Sequence, residues 1–142
     1  MSQTFLIPVD DAELASHAIE WLLKTLNEWR EPPKIHLLNV QAALPADISR
    51  FINADTIREF HLEKGLAAIA PAKDRLTAAG LQPEVHVLIG AIAPSIIEFA
   101  ASHQCTQILL GTRALTGFTG TLLGSVASKV VHLSSVPVML VR

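Results

Sequence analysis

The chain has 142 residues and a net charge of -2, and half of its residues are hydrophobic. A chain of this length buries roughly two thirds of its unfolded surface, so we expect one domain with an ordinary core. The near balance of 11 basic and 13 acidic side chains disfavours nonspecific nucleic-acid binding.

Three further features of composition bear on location and assembly. No run of about 18 uncharged apolar residues and no signal-peptide pattern occurs, so we expect no membrane span. The single cysteine, Cys105, cannot form an internal disulfide and favours a reducing compartment, so we expect a cytoplasmic protein. Only four charged residues lie beyond His86. The chain after His86 is therefore unusually apolar. We expect it to form central strands and their covering helices, or to be buried in part against another subunit.

Apolar runs of strand length alternate with segments of helical period along the chain. Strands are predicted over residues 4–9, 34–40, 84–89, 108–111 and 136–141. Helices are predicted over residues 12–30, 55–79, 90–103 and 125–133, and the loop 41–54 has room for one helical turn. Inside the second helix, Gly65 and Pro71 predict a kink or a division into two helices, and Gly80 fits the left-handed position that ends it.

The alternation of strands and helices predicts an α/β fold with an open, doubly wound parallel sheet and helices on both faces. In such a sheet, ligands bind outside the carboxyl ends of the strands, where the strand order reverses. Two segments follow strands and are candidates for this place. One is residues 8–11 after the first strand, and the other is the glycine-rich segment 111–125 after the fourth.

The glycine-rich segment has the features of a phosphate cradle. Four glycines precede a helix that starts near Ser125, and the free N–H groups and dipole of a helix start favour an anion. The pattern is neither G-x-x-x-x-G-K-S/T nor G-x-G-x-x-G. A plainer alternative is that these glycines are turn residues with positive φ, and that Asp10, Asp11 and Ser125 only cap helices.

The glycine-rich segment and the residues around it resemble the pattern of a known family. The spacing Gly111-x2-Ala114-x9-Gly124-Ser125, followed by Val-Ala and later by Val-Pro-Val, resembles the signature G-x2-G-x9-G-S/T of the universal stress protein (UspA) family. Residues 8–10 read Pro-Val-Asp and are similar to the family's opening P-V-D. The resemblance extends over the whole chain, 1–142, as a single domain of that family.

The resemblance implies a five-stranded sheet in the order 3-2-1-4-5 and a homodimer that acts as a regulatory module in the stress response. It also implies a site for ATP or AMP, with Mg²⁺ if the nucleotide is ATP, between strands one and four. If the roles of the family's motif positions are transferred to this sequence, Asp10 and the backbone near Val40 face the adenosine. Gly111, Gly124 and Ser125 hold the ribose and phosphates, and Arg113 and Ala114 of the same loop are included among the expected cofactor-binding residues.

Some residues depart from the family pattern. Ala114 stands where the nucleotide-binding pattern has its second glycine, and a left-handed alanine costs roughly 1–2 kcal/mol, where each ~1.4 kcal/mol is tenfold in affinity. Arg113 is the one cation left in the loop, and Asp11 adds a negative charge near the expected phosphates. The competing hypothesis is therefore a dimeric protein-interaction module that does not bind nucleotide.

The sequence contains no other arrangement that indicates catalysis or metal binding. The six histidines include no i, i+4 pair and no close cysteine or carboxylate at ligand spacing, so no metal site is predicted. His36 and His86 are expected to be packed or edge residues. No general base, no G-x-S-x-G and no S-G-G-x-D-S segment is found, so we expect a binding module and not an enzyme, with slow ATP hydrolysis left open.

The last predicted strand begins at Val136 and ends at Val141, and the implied order places it at an edge of the sheet. It has no charged residue, and no proline after Pro137, so the usual protection of an edge strand is missing. We therefore expect a homodimer in which two copies of this strand cover each other.

Overall fold

The computed structural model describes residues 2–10, 12–112 and 124–142, and strands and helices alternate along them. In chain order the elements are β1 (Thr4–Pro8), α1 (Ala12–Thr25), β2 (Lys34–Gln41), α2 (Ala46–Ser49), α3 (Ala54–Ala78), β3 (Glu84–Ile89), α4 (Ile92–Ser102), β4 (Gln107–Gly111), α5 (Ser125–Leu133) and β5 (Val138–Val141). A short 3₁₀ turn, Leu26–Glu28, follows α1. None of the helices in these ranges combines the length and the apolar character that a membrane crossing requires.

The five strands form one parallel sheet in the order β3-β2-β1-β4-β5, which confirms the predicted α/β class and strand order. β1 is central and pairs with β2 on one side and with β4 on the other. The chain runs outward from β1 to β3 and then crosses back to β4. The strand order therefore reverses between β1 and β4, and the carboxyl ends of these two strands lie side by side.

Core side chains lie on both faces of the sheet, because successive residues of a strand point to opposite faces. Phe5 and Ile7 of β1 pack with α1 and α3 on one face. Leu6 packs with α4 and α5 on the other face. All three side chains are fully buried, which explains why β1 is an uninterrupted apolar run.

Of the two alternatives predicted from Gly65 and Pro71, the division into two helices is wrong, since both residues lie inside the continuous helix α3. Gly65 is buried, and an added Cβ would lie 2.5 Å from the Val87 side chain, so this glycine allows α3 to approach the sheet closely. Pro71 is exposed, and its missing N–H removes one hydrogen bond from a helix that packing holds in place. Gly80 has a φ of +89°, which confirms its left-handed position after the helix.

Smaller differences concern the ends of elements. α1 ends at Thr25 and not near residue 30, because the chain continues as the 3₁₀ turn. β5 begins at Val138, two residues later than predicted, and its proline neighbour, Pro137, still accepts a hydrogen bond from the Ile108 N–H at 2.9 Å. These shifts leave the order and the type of every predicted element unchanged.

Candidate functional site

A cavity of about 590 Å³ opens at the carboxyl ends of β1, β2 and β4. Its size is within the range of small-molecule sites, which is roughly 300–1,000 Å³. Five of the residues predicted for a ligand site line it: Asp10, Val40, Gly111, Gly124 and Ser125. The other two, Arg113 and Ala114, lie outside the described residues.

The wall of the cavity next to β2 and α4 is apolar. Leu38 and Val40 contribute from β2, and Ile92 and Ile96 contribute from the first turns of α4. Val40 is 7 % exposed, so it belongs to the core as well as to the cavity. A wall of this kind suits the flat, largely apolar surface of an aromatic ring better than a charged group.

The opposite part of the cavity is the start of α5. The first intrahelical hydrogen bond runs from the Ser128 N–H to the Gly124 carbonyl, at 2.9 Å. The N–H groups of Ser125, Val126 and Ala127 therefore have no acceptor within the helix, and all three residues line the cavity. The alternative that Ser125 caps this helix is wrong, because Gly124 occupies the capping position and no side chain caps it.

The two glycines of the site serve different purposes, and neither has a positive φ, so the turn alternative is wrong for both. Gly111 ends β4, and an added Cβ would overlap the carbonyl oxygen of Leu14 in α1. This glycine allows the start of α1 to cross the end of β4. Gly124 has no heavy atom of the described residues within 4 Å of an added Cβ, so its missing side chain leaves open space at the start of α5.

A buried amide holds the chain where β1 ends. Asn39 of β2 is 2 % exposed, and its Nδ2 donates to the Val9 carbonyl at 2.6 Å. The Gln41 side-chain amide in turn donates to Asn39 Oδ1. The last carbonyl before Asp10 is thus tied to β2, which orients the chain at the cavity. Sequence reasoning did not assign this role to Asn39, although an amide inside an apolar strand was a usable signal.

A second link fixes the chain that leaves β4. The Nδ1 of His17 in α1 lies 3.0 Å from the Thr112 carbonyl oxygen, and since a carbonyl only accepts, this nitrogen donates. The Thr112 N–H donates to the Val141 carbonyl at 2.7 Å. Thr112 lines the cavity, so both links hold its wall. The sequence carried no signal for this pairing, because the two residues lie on elements far apart in the chain.

The capping role predicted for Asp10 and Asp11 concerns the start of α1. That helix begins at Ala12, so its capping position is residue 11, which lies outside the described residues. Asp10 is exposed at the rim and is the one charged side chain among the described residues that line the cavity.

An open parallel sheet with a ligand-sized cavity where the strand order reverses defines an α/β domain of the doubly wound class, whose members bind ligands at this edge. The comparisons with known proteins narrow this class. A family model described as Universal stress protein family matches residues 1–142. The chain belongs to the universal stress protein family.

Two curated relatives are similar over almost the whole chain. A universal stress protein of Methanocaldococcus jannaschii is 29 % identical over 140 residues, which is 96 % of this chain and 80 % of the relative. The universal stress protein YxiE of Bacillus subtilis is 25 % identical over 148 residues, which covers all of both chains.

Solved structures of universal stress proteins share the fold. One was determined in complex with cAMP, with a TM-score of 0.64, 22 % identity and coverage of 99 % of this chain and 97 % of that chain. Another, from Archaeoglobus fulgidus, was determined in complex with dAMP, with a TM-score of 0.62, 18 % identity and coverage of 99 % and 98 %.

Proposed function

We propose that this protein is a regulatory module of the stress response that binds an adenine nucleotide, ATP or AMP, in the cavity between β1 and β4. The observation that carries the proposal is the shape of that cavity, which has an apolar wall at one side and an uncapped helix start at the other. A nucleotide has the same division into an apolar ring and an anionic end. The complexes of similar proteins with cAMP and dAMP support the same ligand class.

The orientation of the nucleotide follows from this division. The base lies along Val40 and the apolar wall, with Asp10 near the adenosine. The phosphate lies at the start of α5, where the free N–H groups of Ser125 and its neighbours donate to it and the helix dipole favours its charge. Gly111 and Gly124 leave the backbone accessible to the ribose and phosphate.

The charge of the described wall bears on the choice of nucleotide. Asp10 is the one charged residue of the described wall, so on this wall backbone N–H groups face the phosphate, while Arg113 of the loop lies outside the described residues. If the ligand is ATP, Mg²⁺ accompanies its phosphates. No residue of the described wall acts as a general base in this proposal, which is for binding and not for turnover.

The substitution Gly124→Val tests the site. The added side chain meets no heavy atom of the described residues near the start of α5, so we expect the fold to be kept and the phosphate to be blocked. We expect AMP and ATP affinity, measured by calorimetry, to fall about tenfold or more, which corresponds to ~1.4 kcal/mol. Ser128→Val, one turn further along α5 and outside the cavity, is the matched control and should keep wild-type affinity.

Two results would reject the nucleotide site. One is unchanged affinity in folded Gly124→Val. The other is a wild-type protein that neither binds AMP or ATP nor releases nucleotide on heating, as followed by chromatography. The second result favours a protein-interaction module without nucleotide.

We also propose a homodimer through the β5 edge. β5 pairs with β4 on one side, and Leu140 on this strand is 39 % exposed. The opposite edge strand, β3, begins with Glu84, which forms an ion pair with Lys34, whereas Val138–Val141 has no charge. Edge strands without charge invite pairing with another chain.

Light scattering at micromolar concentration tests the dimer, and it should give twice the mass of 15.3 kDa. Leu140→Lys should shift the protein toward monomer, whereas Leu88→Lys on the β3 edge should leave the dimer intact. A wild-type monomer, or a dimer that only Leu88→Lys disrupts, would refute the β5 interface.

The remaining parts of the proposal concern the domain and its location. We take residues 1–142 as one universal stress protein domain, which the match over this range supports. Cys105 is buried and free, which supports a reducing compartment and with it a cytoplasmic protein.

A further inference from the structure

Three side chains with metal-binding groups meet at the amino-terminal halves of β2 and β3. Glu84 and His86 are two residues apart on β3 and therefore share a face of the sheet. His36 of β2 is the register partner of Glu84. We refer to His36, Glu84 and His86 as the β2–β3 triad. It lies at the other end of β2 from Val40, and none of its members lines the cavity.

The potential ligand atoms of the triad point at one another. His36 Nδ1 lies 3.0 Å from His86 Nε2 and 3.3 Å from Glu84 Oε2. His86 Nε2 lies 3.8 Å from the same carboxylate oxygen. A tetrahedral ion with bonds of about 2.0–2.1 Å separates its ligand atoms by about 3.3 Å. The three separations in the triad are within about 0.5 Å of this value, so an ion that replaces the proton shared between His36 Nδ1 and His86 Nε2 can be reached by all three atoms after small side-chain shifts.

The carboxylate of Glu84 divides its two oxygens between different partners. Oε1 lies 3.4 Å from Lys34 Nζ, whereas Oε2 faces the two imidazoles. The lysine thus neutralises and orients the carboxylate from outside, and it leaves the inner oxygen for a cation. An ion pair behind a ligating carboxylate is the usual kind of support for a metal ligand.

Packing fixes the two imidazoles. His36 is 2 % exposed, and the Phe99 ring of α4 lies against both histidines, with centroid distances of 5.5 Å to His36 and 4.7 Å to His86. His103 stacks on Phe99 with a centroid distance of 3.7 Å, and its ring lies 5.4 Å from His36 and 5.5 Å from His86. The rings therefore lose little freedom when an ion binds. The His86 side chain is 26 % exposed and that of Glu84 49 %, so an ion has access from solvent.

The electrostatic surroundings of the triad follow from burial and from its charged neighbours. Burial lowers the pKa of His36 and of His86, although the Glu84 carboxylate opposes the change. Burial also opposes ionisation of Glu84, but the Lys34 ammonium holds the pKa of its carboxyl below the usual value.

The geometry points to a Zn²⁺ site formed by His36 Nδ1, His86 Nε2 and Glu84 Oε2, with the fourth position open to water or to a small anionic ligand. Two imidazoles and one carboxylate are a Zn²⁺ ligand set, whereas Mg²⁺ and Ca²⁺ prefer oxygen ligands. The ion would join β2 to the edge strand β3. Bound Zn²⁺ therefore stabilises the native state as well as creating an open coordination site.

Titration of the untagged protein with Zn²⁺ and with Co²⁺ near neutral pH tests the site. Calorimetry should give one Zn²⁺ per chain, and bound Co²⁺ should show the intense visible absorption of a four-coordinate ion. Zn²⁺ should also raise the melting temperature of the wild type.

Three variants separate this site from binding elsewhere. His86→Gln and Glu84→Gln change partly exposed side chains, so the fold survives, and each should weaken Zn²⁺ affinity about tenfold or more. His132→Gln, an exposed histidine on α5, is the matched control and should keep wild-type affinity. His36→Gln is a poorer test because it changes a buried side chain.

Any of three outcomes would overturn the inference. The wild type could bind no Zn²⁺ at millimolar concentration, Co²⁺ could show only the weak absorption of a six-coordinate ion, or the two triad variants could keep wild-type affinity. Because the nucleotide cavity contains none of these residues, Gly124→Val leaves Zn²⁺ binding unchanged, and the two proposals fail or stand separately.

Discussion

The two ends of the sheet are built in opposite ways. At the carboxyl ends, the cavity between β1 and β4 offers backbone N–H groups, apolar walls and the open space beside Gly124. At the amino ends of β2 and β3, the triad fills its space with two imidazoles and a carboxylate whose ligand atoms are 3.0–3.8 Å apart. The cavity is therefore sensitive to added atoms, and the triad is sensitive to removed side-chain groups. Added atoms also have different effects within the cavity, depending on what they meet.

The largest effect is expected for Gly111→Ala. The added Cβ would overlap the Leu14 carbonyl of α1, and neither backbone can yield without moving a packed helix. We expect a loss of unfolding free energy of about 3 kcal/mol or more, measured by urea denaturation. The matched Gly124→Ala meets no described atom and should cost at most about 1 kcal/mol, the loss of a glycine at a helix capping position. Equal losses in the two variants would contradict the different roles of these glycines.

A moderate effect is expected for Asn39→Ala, which removes a side chain from the cavity end of β2. The Val9 carbonyl loses its buried donor, and leaving such a group unpaired costs about 1–3 kcal/mol. AMP affinity should fall as well, because the chain at Asp10 loses its support. Gln41→Ala, at the half-exposed end of the same chain of hydrogen bonds, should cost well under half as much. Unchanged AMP affinity in Asn39→Ala would limit Asn39 to a structural role.

A smaller effect, a gain in nucleotide affinity, is expected for Ala114→Gly, which removes a methyl group. The position lies outside the described residues, so this prediction rests on the sequence motif alone. If the methyl crowds the ligand or strains the loop, AMP and ATP should bind up to about tenfold tighter in calorimetry. An unchanged or weaker affinity would show that the scarcity of cationic side chains, and not the shape of the loop, limits binding.

The smallest effect is expected at Cys105, which is buried and lies outside both sites. Burial raises the pKa of its thiol, so the group stays protonated near neutral pH and does not act as a metal ligand. Iodoacetamide should therefore label the native protein slowly and the urea-unfolded protein fast. The Co²⁺ spectrum should lack a thiolate charge-transfer band. Fast labelling of the native protein would show that the thiol is accessible.

The local sequence was a good guide wherever a short pattern carries the physical cause. Strand and helix periods indicated every long element, because burial of one face repeats along a few residues. Gly80 was placed correctly because a left-handed residue after a helix is a local requirement. The α/β alternation and the family resemblance together brought Asp10 next to Gly111, and the structure has both in one cavity.

The sequence was a poor guide wherever the role of a residue depends on a neighbour that is distant in the chain. Gly65 was interpreted as a helix interruption on its intrinsic propensity, which costs about 1 kcal/mol, yet it is the position where α3 touches Val87. The expectation of no metal site rested on the helical spacing of histidines, whereas the proposed ligands Glu84 and His86 follow the two-residue period of a strand. The pattern Glu-x-His in a strand was a signal that could have been recognised.

The sequence by itself determined the elements of this protein, their order and the class of fold, because these follow from the period of apolar residues and from local turn chemistry. Only the tertiary structure decided that His36 lies opposite Glu84, that Asn39 holds the end of β1, and that Gly111 and Gly124 serve different purposes. The physical reason is that these interactions depend on exact distances between atoms of residues that are far apart in the chain. A hydrogen bond or a metal site requires atoms placed within a few tenths of an ångström. The strand register and helix packing that set such distances join residues far apart in the chain.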